Sequence, residues 1–119
     1  MKAKKFFDDV TNYLETDNGK NIGSYMVHPY SYKYGFSRVE ENNGKIIMWK
    51  GDVFGSENTD RPSLTLEEIL NQLKNCIEKY GDLDLLYEKG YDSKTYEPIF
   101  EEPTQFVVSY RNIIPINLS

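Results

Sequence analysis

The stretch that decides the fold is residues 65–80, TLEEILNQLKNCIEKY. Thr65 and Glu68 have the spacing of a capping box, in which each side chain satisfies a backbone donor left unpaired at a helix start. Apolar residues then recur at spacings of three and four, which predicts one buried stripe on an amphipathic helix. The stripe comprises Leu66, Ile69, Leu70, Leu73, Ile77 and Tyr80. Gly81 follows, at the position where helices commonly end with a positive φ.

A first helix is predicted at residues 3–16, AKKFFDDVTNYLET. Its apolar face consists of Phe6, Val10, Tyr13 and Leu14, with Phe7 at the edge. Asp8 and Asp9 are neighbours and point about 100° apart on a helix, so we expect two solvated carboxylates rather than an acid pair.

Residues 34–50 have the pattern of a β-hairpin, because Asn43-Gly44 is the preferred pair for a two-residue type I′ turn. This turn sets the facing pairs Asn42–Lys45, Glu41–Ile46, Val39–Met48 and Arg38–Trp49. The last pair predicts a cation–π contact. The run IIMW at 46–49 can be buried on both faces, so the hairpin should lie inside a larger sheet.

More strands are expected on both sides of these elements. A short strand is predicted at 25–27, and another at 83–88 with Leu83, Leu85 and Tyr87 on its dry face and Asp84, Leu86 and Glu88 on a wetter one. Lys89-Gly90 is expected to turn the chain. Two further strands, 95–100 and 104–110, are separated at Glu102-Pro103, and Pro115 in the apolar tail indicates an edge position.

These elements predict a single α+β domain over residues 1–119. It should contain a mostly antiparallel sheet of five to six strands with two helices packed on one face. Alternating β and α units are absent from this pattern, which disfavours a parallel sheet.

The charge distribution limits the classes of partner. The net charge is −5, and residues 63–119 carry all of it, with ten acidic and five basic side chains. This field disfavours nucleic acid and membrane as partners and would attract a basic protein surface, while the alternative interpretation is that mild acidity simply keeps the protein soluble. No apolar run is long enough for a membrane span, Asp8 and Asp9 interrupt any signal peptide, and the single cysteine fits a reducing compartment. We therefore expect a cytoplasmic protein.

Catalytic and cofactor motifs are missing from the sequence. One histidine, His28, and one cysteine, Cys76, cannot supply a nucleophilic triad or a zinc site, and no phosphate loop or dinucleotide fingerprint is present. Asp84 and Glu88 would lie about 13 Å apart on one strand face, too far for a glycosidase pair. We expect no enzyme activity, no cofactor and no metal, and Cys76 should be a core thiol.

The aromatic segment at 22–34 leaves three interpretations open. Its four tyrosines, Tyr25, Tyr30, Tyr32 and Tyr34, could form a stacking platform for bases, a protein-binding hot spot, or packing on a sheet with the hydroxyl groups at the surface.

One segment resembles a module of small phage and prophage accessory proteins. The matching points are the helix at 65–80, Gly81-Asp82, the strand at 83–87, Gly90-Tyr91-Asp92 and the Tyr96–Ile99 strand, together about a third of the chain. The resemblance implies a small mobile-element protein and carries over no catalytic residues. Proteins of that kind include anti-CRISPR inhibitors of host defence, and toxin-immunity proteins are similar in character.

Two hypotheses follow. In the first, the chain binds and inhibits a basic, nucleic-acid-binding protein of a bacterial host. Its predicted contact residues are Asp84, Glu88, Tyr91, Asp92, Tyr96, Glu97, Glu101 and Glu102. In the second, it is a small-ligand sequestering or regulatory domain with a pocket for a nucleotide-like ring between the 34–50 hairpin and the central helix. Arg38, Trp49 and Lys50 would line that pocket.

Overall fold

The computed structural model describes residues 1–19, 36–51, 64–109 and 112–118. Its elements in chain order are α1 (Ala3–Leu14), β1 (Phe36–Asn42), β2 (Lys45–Lys50), α2 (Leu66–Tyr80), β3 (Asp84–Tyr91), β4 (Pro98–Glu101), β5 (Gln105–Ser109) and β6 (Asn112–Ile116). The described strands form a four-stranded sheet of order β1-β2-β3-β4 and a two-stranded β5–β6 ribbon. The predicted α+β class, with two helices and about six strands, is confirmed, although the strands are divided between two sheets.

Some sequence predictions fall outside the described residues. These are the strand at 25–27, the tyrosine-rich segment at 22–34 with His28, and most of the loop at 51–63.

Helix α2 begins and ends as its sequence predicts. The Thr65 hydroxyl accepts from the Glu68 backbone N–H at 3.1 Å, and the Glu68 carboxylate accepts from the Thr65 N–H at 3.2 Å. At the other end, Gly81 has φ +92° and ψ −179°, a backbone region that is essentially restricted to glycine. Its N–H donates to the Ile77 carbonyl and closes the helix.

The β1–β2 hairpin has the predicted register. Asn43 and Gly44 have φ values of +51° and +80°, as a type I′ turn requires. The facing pairs are Asn42–Lys45, Glu41–Ile46, Val39–Met48 and Arg38–Trp49. A register shift lies between Phe36 and Arg38, at the far end of the hairpin.

The mostly antiparallel arrangement of the described strands includes one parallel pair, β2 and β3. These strands pair in parallel, with Ile46 facing Leu85 and Met48 facing Tyr87. A parallel pair needs a crossover of a dozen or more residues, and the chain between β2 and β3, which contains α2, provides it. The other three pairings among the described strands are antiparallel, so the strands as a whole are mostly antiparallel.

The core lies between the two helices and one face of the four-stranded sheet. Each of α1 and α2 contributes buried apolar side chains to the same cluster. The principal members are Phe6 and Val10 of α1, Leu66, Ile69, Leu73 and Cys76 of α2, and Val39, Ile46, Met48, Leu85 and Tyr87 of the sheet. Ile47 points to the opposite face and is also buried, so β2 is covered on both sides, as the run IIMW predicts.

The β5–β6 ribbon packs on α1 through an aromatic cluster. The Phe106 ring lies edge-on to Phe6 and Tyr13, with centroid separations of 6.2 and 5.8 Å. Ile113 of β6 joins the main core. Pro115 faces Phe106 within this two-stranded ribbon, which agrees with the edge position predicted for the proline.

The outer edge of β1 is covered by α2. The Gln72 side-chain carbonyl accepts from the Val39 N–H at 2.7 Å, and the Leu64 N–H donates to the Phe36 carbonyl at 2.8 Å. These bonds satisfy backbone groups that an open edge would offer to another strand.

The β3–β4 connection differs from the sequence prediction. Lys89-Gly90 does not turn the chain, because β3 continues to Tyr91 through a register shift between Glu88 and Gly90. The turn lies at residues 92–97, and β4 begins at Pro98 rather than at residue 95. Glu88, expected on a wetter face, is only 7% exposed.

The capping box gives a first prediction. Thr65→Ala should lower the free energy of unfolding by about 0.5–2 kcal/mol, because it leaves the Glu68 N–H without its acceptor. Thr65→Ser retains a hydroxyl and serves as the matched control. Urea denaturation followed by circular dichroism measures both variants, and equal stability of Thr65→Ala and Thr65→Ser would contradict the prediction.

Candidate functional site

The tip of the β3–β4 hairpin is a closed turn organised by Asp92. Its carboxylate accepts from the Lys94 N–H at 2.8 Å and from the Thr95 N–H at 3.0 Å. The Asp92 carbonyl accepts from the Tyr96 N–H, and the Asp92 N–H donates to the Glu97 carbonyl. The two backbone donors, Thr95 first and then Lys94, lower the pKa of the Asp92 carboxyl group. The carboxylate therefore stays ionised and holds the turn.

Two tyrosine rings are stacked on this tip. Tyr91 and Tyr96 lie with centroids 6.3 Å apart and ring planes inclined by 21°. They are 65% and 78% exposed. Tyr96 has φ +59°, a left-handed conformation that is uncommon for a bulky residue and is found where the surroundings impose it. The chain thus holds two large aromatic groups in water in one defined arrangement.

The other predicted carboxylates have partners within the chain. Asp84 lies at the opposite end of β3, where the Lys2 and Lys45 ammonium groups are 3.4 and 3.8 Å from its carboxylate oxygens. The hydrogen bond and charge of Lys2, together with Lys45, lower the pKa of Asp84. Both lysines come from the electrically neutral first half of the chain. Lysines of the first half of the chain therefore neutralise part of the negative charge of the second half.

The Glu101 carboxylate is hydrogen-bonded to the core residue Tyr87. The Tyr87 hydroxyl donates to its Oε2 atom at 2.5 Å, and the Lys89 ammonium group is 3.8 Å from its Oε1 atom. Burial raises the pKa of Tyr87, and the hydrogen bond to Glu101 and the negative charge of Glu101 raise it further. Glu102 forms an ion pair with the Met1 amino group. Glu101 and Glu102 are thus engaged with groups of the chain itself.

Asp92 and Glu97 are the predicted carboxylates that lie on the tip with the tyrosines. Glu97 is exposed, and its carboxylate has no hydrogen-bond or ion-pair partner among the residues that the structure describes. Of the eight predicted contact residues, the structure therefore groups Tyr91, Asp92, Tyr96 and Glu97 on one surface, hereafter the hairpin tip.

A cavity of about 320 Å³ adjoins the hairpin tip. Its lining residues are Arg38, Trp49, Glu88, Tyr96 and Pro98. The predicted cation–π contact is present, with the Arg38 guanidinium 4.6 Å from the Trp49 ring centroid. Tyr96, a predicted partner contact of the first hypothesis, thus lines the same cavity as Arg38 and Trp49, which the second hypothesis assigned to a ligand pocket.

The position of this cavity corrects the second hypothesis. The pocket was expected between the hairpin and α2, but no lining residue belongs to α2. Arg38 and Trp49 alternate with Val39 and Met48, whose side chains face the helices, so they project from the other sheet face. Lys50 does not line the cavity, although its backbone N–H donates to Glu88 at 3.0 Å. A separate groove between β1 and α2 is lined mainly by polar side chains, including Glu40, Glu41 and Gln72.

Trp49, which lines the cavity, has two features that the sequence did not predict. The Phe100 ring lies edge-on to Trp49 with centroids 5.3 Å apart, although the two residues belong to β4 and β2, on either side of β3. The Trp49 indole N–H is buried and has no acceptor among the described residues. The strand pattern places Glu88 on the same face as Leu86, but strand order was needed to bring Phe100 beside Trp49.

Other parts of the described chain show no arrangement typical of catalysis. Cys76 is buried, and burial raises the pKa of its thiol, so it is not an activated nucleophile. Within the ranges described, no group of three or more His, Cys, Asp or Glu side chains could hold a metal ion. Neither of the described helices has the length and apolar character needed to cross a membrane.

Comparison with protein-family models, curated proteins and solved structures gives no match to this chain.

The Tyr87–Glu101 contact predicts a pH dependence. Because the folded state raises the pKa of Tyr87 above its unfolded value of about 10, the stabilisation is complete below that pH and declines as pH rises above it. The free energy of unfolding should therefore fall more steeply above pH 10 in the wild type than in Tyr87→Phe. Urea titrations at a series of pH values measure both slopes, and identical slopes would refute the assignment.

The Asp92 turn gives a second prediction at the site. Asp92→Ala removes the acceptor for the Lys94 and Thr95 N–H groups, so their amide protons should exchange with solvent faster. Asp92→Asn keeps an acceptor oxygen and should preserve most of the protection. Hydrogen exchange followed by NMR compares the variants. Unchanged exchange in Asp92→Ala would mean that the backbone holds the turn without this side chain.

Proposed function

We propose that this chain is a non-enzymatic binding protein that attaches to a basic protein surface through its hairpin tip. The observation that carries the proposal is the stacked, highly exposed pair Tyr91 and Tyr96 on a turn closed by Asp92. Large aromatic groups are seldom left this exposed in such a constrained arrangement unless they contact something.

Tyrosine suits the role of an anchor in an interface. Its ring supplies a large amphipathic contact area, and it has few rotatable bonds to immobilise on binding. Stacking of Tyr91 on Tyr96 restricts both rings in advance, which lowers the entropy lost on association. The tip is therefore preorganised for contact.

Electrostatics favours a basic partner. Asp92 and Glu97 against Lys94 leave one negative charge on the tip itself, and the whole chain carries −5. The long-range field attracts a positive surface and accelerates encounter, while the tyrosines provide the short-range contacts. Asp84, Glu101 and Glu102 act mainly within the fold, so we assign them a smaller part than the sequence suggested.

The resemblance to phage and prophage accessory proteins suggests the biological setting. In this proposal the partner is a nucleic-acid-binding protein of a bacterial host, and the acidic chain competes with nucleic acid for its basic groove in the host cytoplasm. Such competition is the mode of action expected of an anti-defence inhibitor. A toxin-immunity protein would use the same surface against a basic toxin.

The nucleotide-sequestering alternative has less support from the cavity chemistry. The Arg38 Nε atom is 3.1 Å from Glu40, and its guanidinium lies on Trp49, so this cation is already engaged. Glu88 places a carboxylate in the same cavity, which repels a phosphate group.

The anchor residues can be tested with matched variants. Proteins that the wild type retains from a bacterial lysate are purified, and their affinities for the wild type and for each variant are measured. Tyr91→Ala and Tyr96→Ala should each weaken binding by about 2 kcal/mol or more, roughly 30-fold. Tyr80→Ala, at a half-exposed tyrosine on α2, should leave the affinity unchanged. A partner that binds Tyr91→Ala and Tyr96→Ala as tightly as the wild type would contradict the proposal.

The charge contribution is tested on the same complex. Binding should weaken as salt is raised to about 0.5 M, because screening removes the long-range attraction. Glu97→Lys should slow association, whereas Glu78→Lys makes the same change in net charge on an exposed site of α2 and should slow it less. An affinity that is independent of salt, or a partner with an acidic binding surface, would exclude this mechanism.

A further inference from the structure

The cavity beside the hairpin tip combines features that suit a cation. Glu88, only 7% exposed, brings a carboxylate into it, and Trp49 and Tyr96 contribute aromatic rings. Aromatic faces attract cations through their quadrupoles, and a carboxylate adds a full negative charge. The volume of about 320 Å³ is at the small end for ligand sites, so it suits one side chain rather than an extended ligand.

The Trp49 ring already binds a guanidinium group, that of Arg38. The Arg38 guanidinium lies 4.6 Å from the centroid of Trp49, and its Nε atom contacts Glu40 at 3.1 Å. Arg38 is about half-exposed, so this contact is made at the mouth of the cavity and is accessible to competition. An arginine from elsewhere would find the same Trp49 ring and, among the residues that line the cavity, Glu88.

We propose that this cavity receives one arginine side chain of the basic partner, and that Arg38 occupies the Trp49 face in its place when the partner is absent. The identity of the partner as a protein rests on the function proposed above. Tyr96 connects the two surfaces, because it is exposed on the hairpin tip and also lines the cavity. A partner that contacts Tyr96 on the hairpin tip would therefore be close enough to insert an arginine side chain into the cavity.

Charge and shape distinguish arginine from other occupants. Displacement of Arg38 would leave Glu88 and two aromatic rings in the cavity, a combination that favours a cation over an anion. A guanidinium is planar and weakly hydrated, and it stacks on aromatic rings, whereas the ammonium group of lysine is compact and strongly hydrated. Lysine should therefore bind more weakly than arginine.

Trp49 provides a direct readout because it is the only tryptophan of the chain. Its fluorescence is followed while N-acetyl-arginine amide is added to the intact protein, with free N-acetyl-tryptophan amide as the control for collisional quenching. A saturable change with a dissociation constant on the order of millimolar is expected for a single side chain. The neutral isostere N-acetyl-citrulline amide should give no saturable change, and the lysine analogue should bind more weakly.

Arg38→Ala decides between the two interpretations of the cavity. If Arg38 competes with the incoming arginine, its removal should tighten binding of the arginine probe by about two- to fivefold. If Arg38 instead supplies positive charge for a nucleotide, the same variant should abolish binding of adenosine monophosphate. Absence of saturable arginine binding in wild type and Arg38→Ala, or saturable nucleotide binding that is lost in Arg38→Ala, would overturn the proposal.

The carboxylate is tested with Glu88→Gln, which keeps an oxygen acceptor for the Lys50 N–H and removes the charge. It should weaken arginine binding about tenfold. Circular dichroism verifies its fold, and Tyr96→Ala, at a surface position, provides a second variant that should also weaken the probe. Unchanged affinity in both folded variants would place the probe elsewhere.

The outcomes also separate this inference from the proposed function. The arginine titration uses no partner protein, so its result does not depend on whether the chain binds one. Saturable arginine binding together with loss of protein binding in Tyr91→Ala supports both assignments. If arginine does not bind saturably but partner binding depends on the tyrosines, only the cavity assignment is overturned. If arginine binds saturably but partner binding does not depend on the tyrosines, only the proposed function is overturned.

Discussion

The structure depends on the burial of β2 on both faces. Ile46 and Met48 point toward the helices and join the main core, while Ile47 is buried on the other side. The backbone N–H and C=O groups of a buried strand need hydrogen-bond partners, and β1 and β3 supply them on its two edges. The parallel pairing with β3 requires the long crossover through α2, which returns the chain over the helix-facing side of the sheet. Burial of the three residues 46–48 is thus linked to the arrangement of the whole four-stranded sheet.

The same strand separates the core face of the sheet from the face that carries the cavity. Side chains that alternate along β1 and β2 either enter the core or project from the opposite face of the sheet. Val39 and Met48 take the first direction, whereas Arg38 and Trp49 take the second and line the cavity. Because the core holds the backbone of these strands in place, the cavity walls are positioned by rigid elements. The hairpin tip then extends from the end of β3, where the register shift between Glu88 and Gly90 alters the direction of its side chains.

Electrostatics has two roles in this fold. Most acidic side chains of the second half are used locally: Asp84 with two lysines, Glu101 with Tyr87, and Asp92 with the backbone of its own turn. Exposed pairs of this kind contribute little to stability individually, but they position strand ends and the turn. What remains for a partner is a small set of groups near Tyr96 together with the general negative field of the chain. The proposed binding therefore depends on aromatic contacts for affinity and on charge for encounter.

The sequence by itself determined the elements whose signals are local. The capping box of α2, its glycine end, the Asn43-Gly44 turn and the resulting Arg38–Trp49 contact all follow from residues close together in the chain. Only the tertiary structure decided the parallel pairing of β2 with β3, the burial of Glu88, the contact of Trp49 with Phe100 and the cavity that Trp49 and Tyr96 both line. These features depend on strand order, which arises from the way distant segments cover one another. The turn at 92–97 shows the same limit, because Lys89-Gly90 has turn chemistry but the hydrogen bonds of Asp92 place the reversal later. Local sequence signals specified the helix ends and the β1–β2 turn. The packing of distant segments specified the strand order and therefore the cavity.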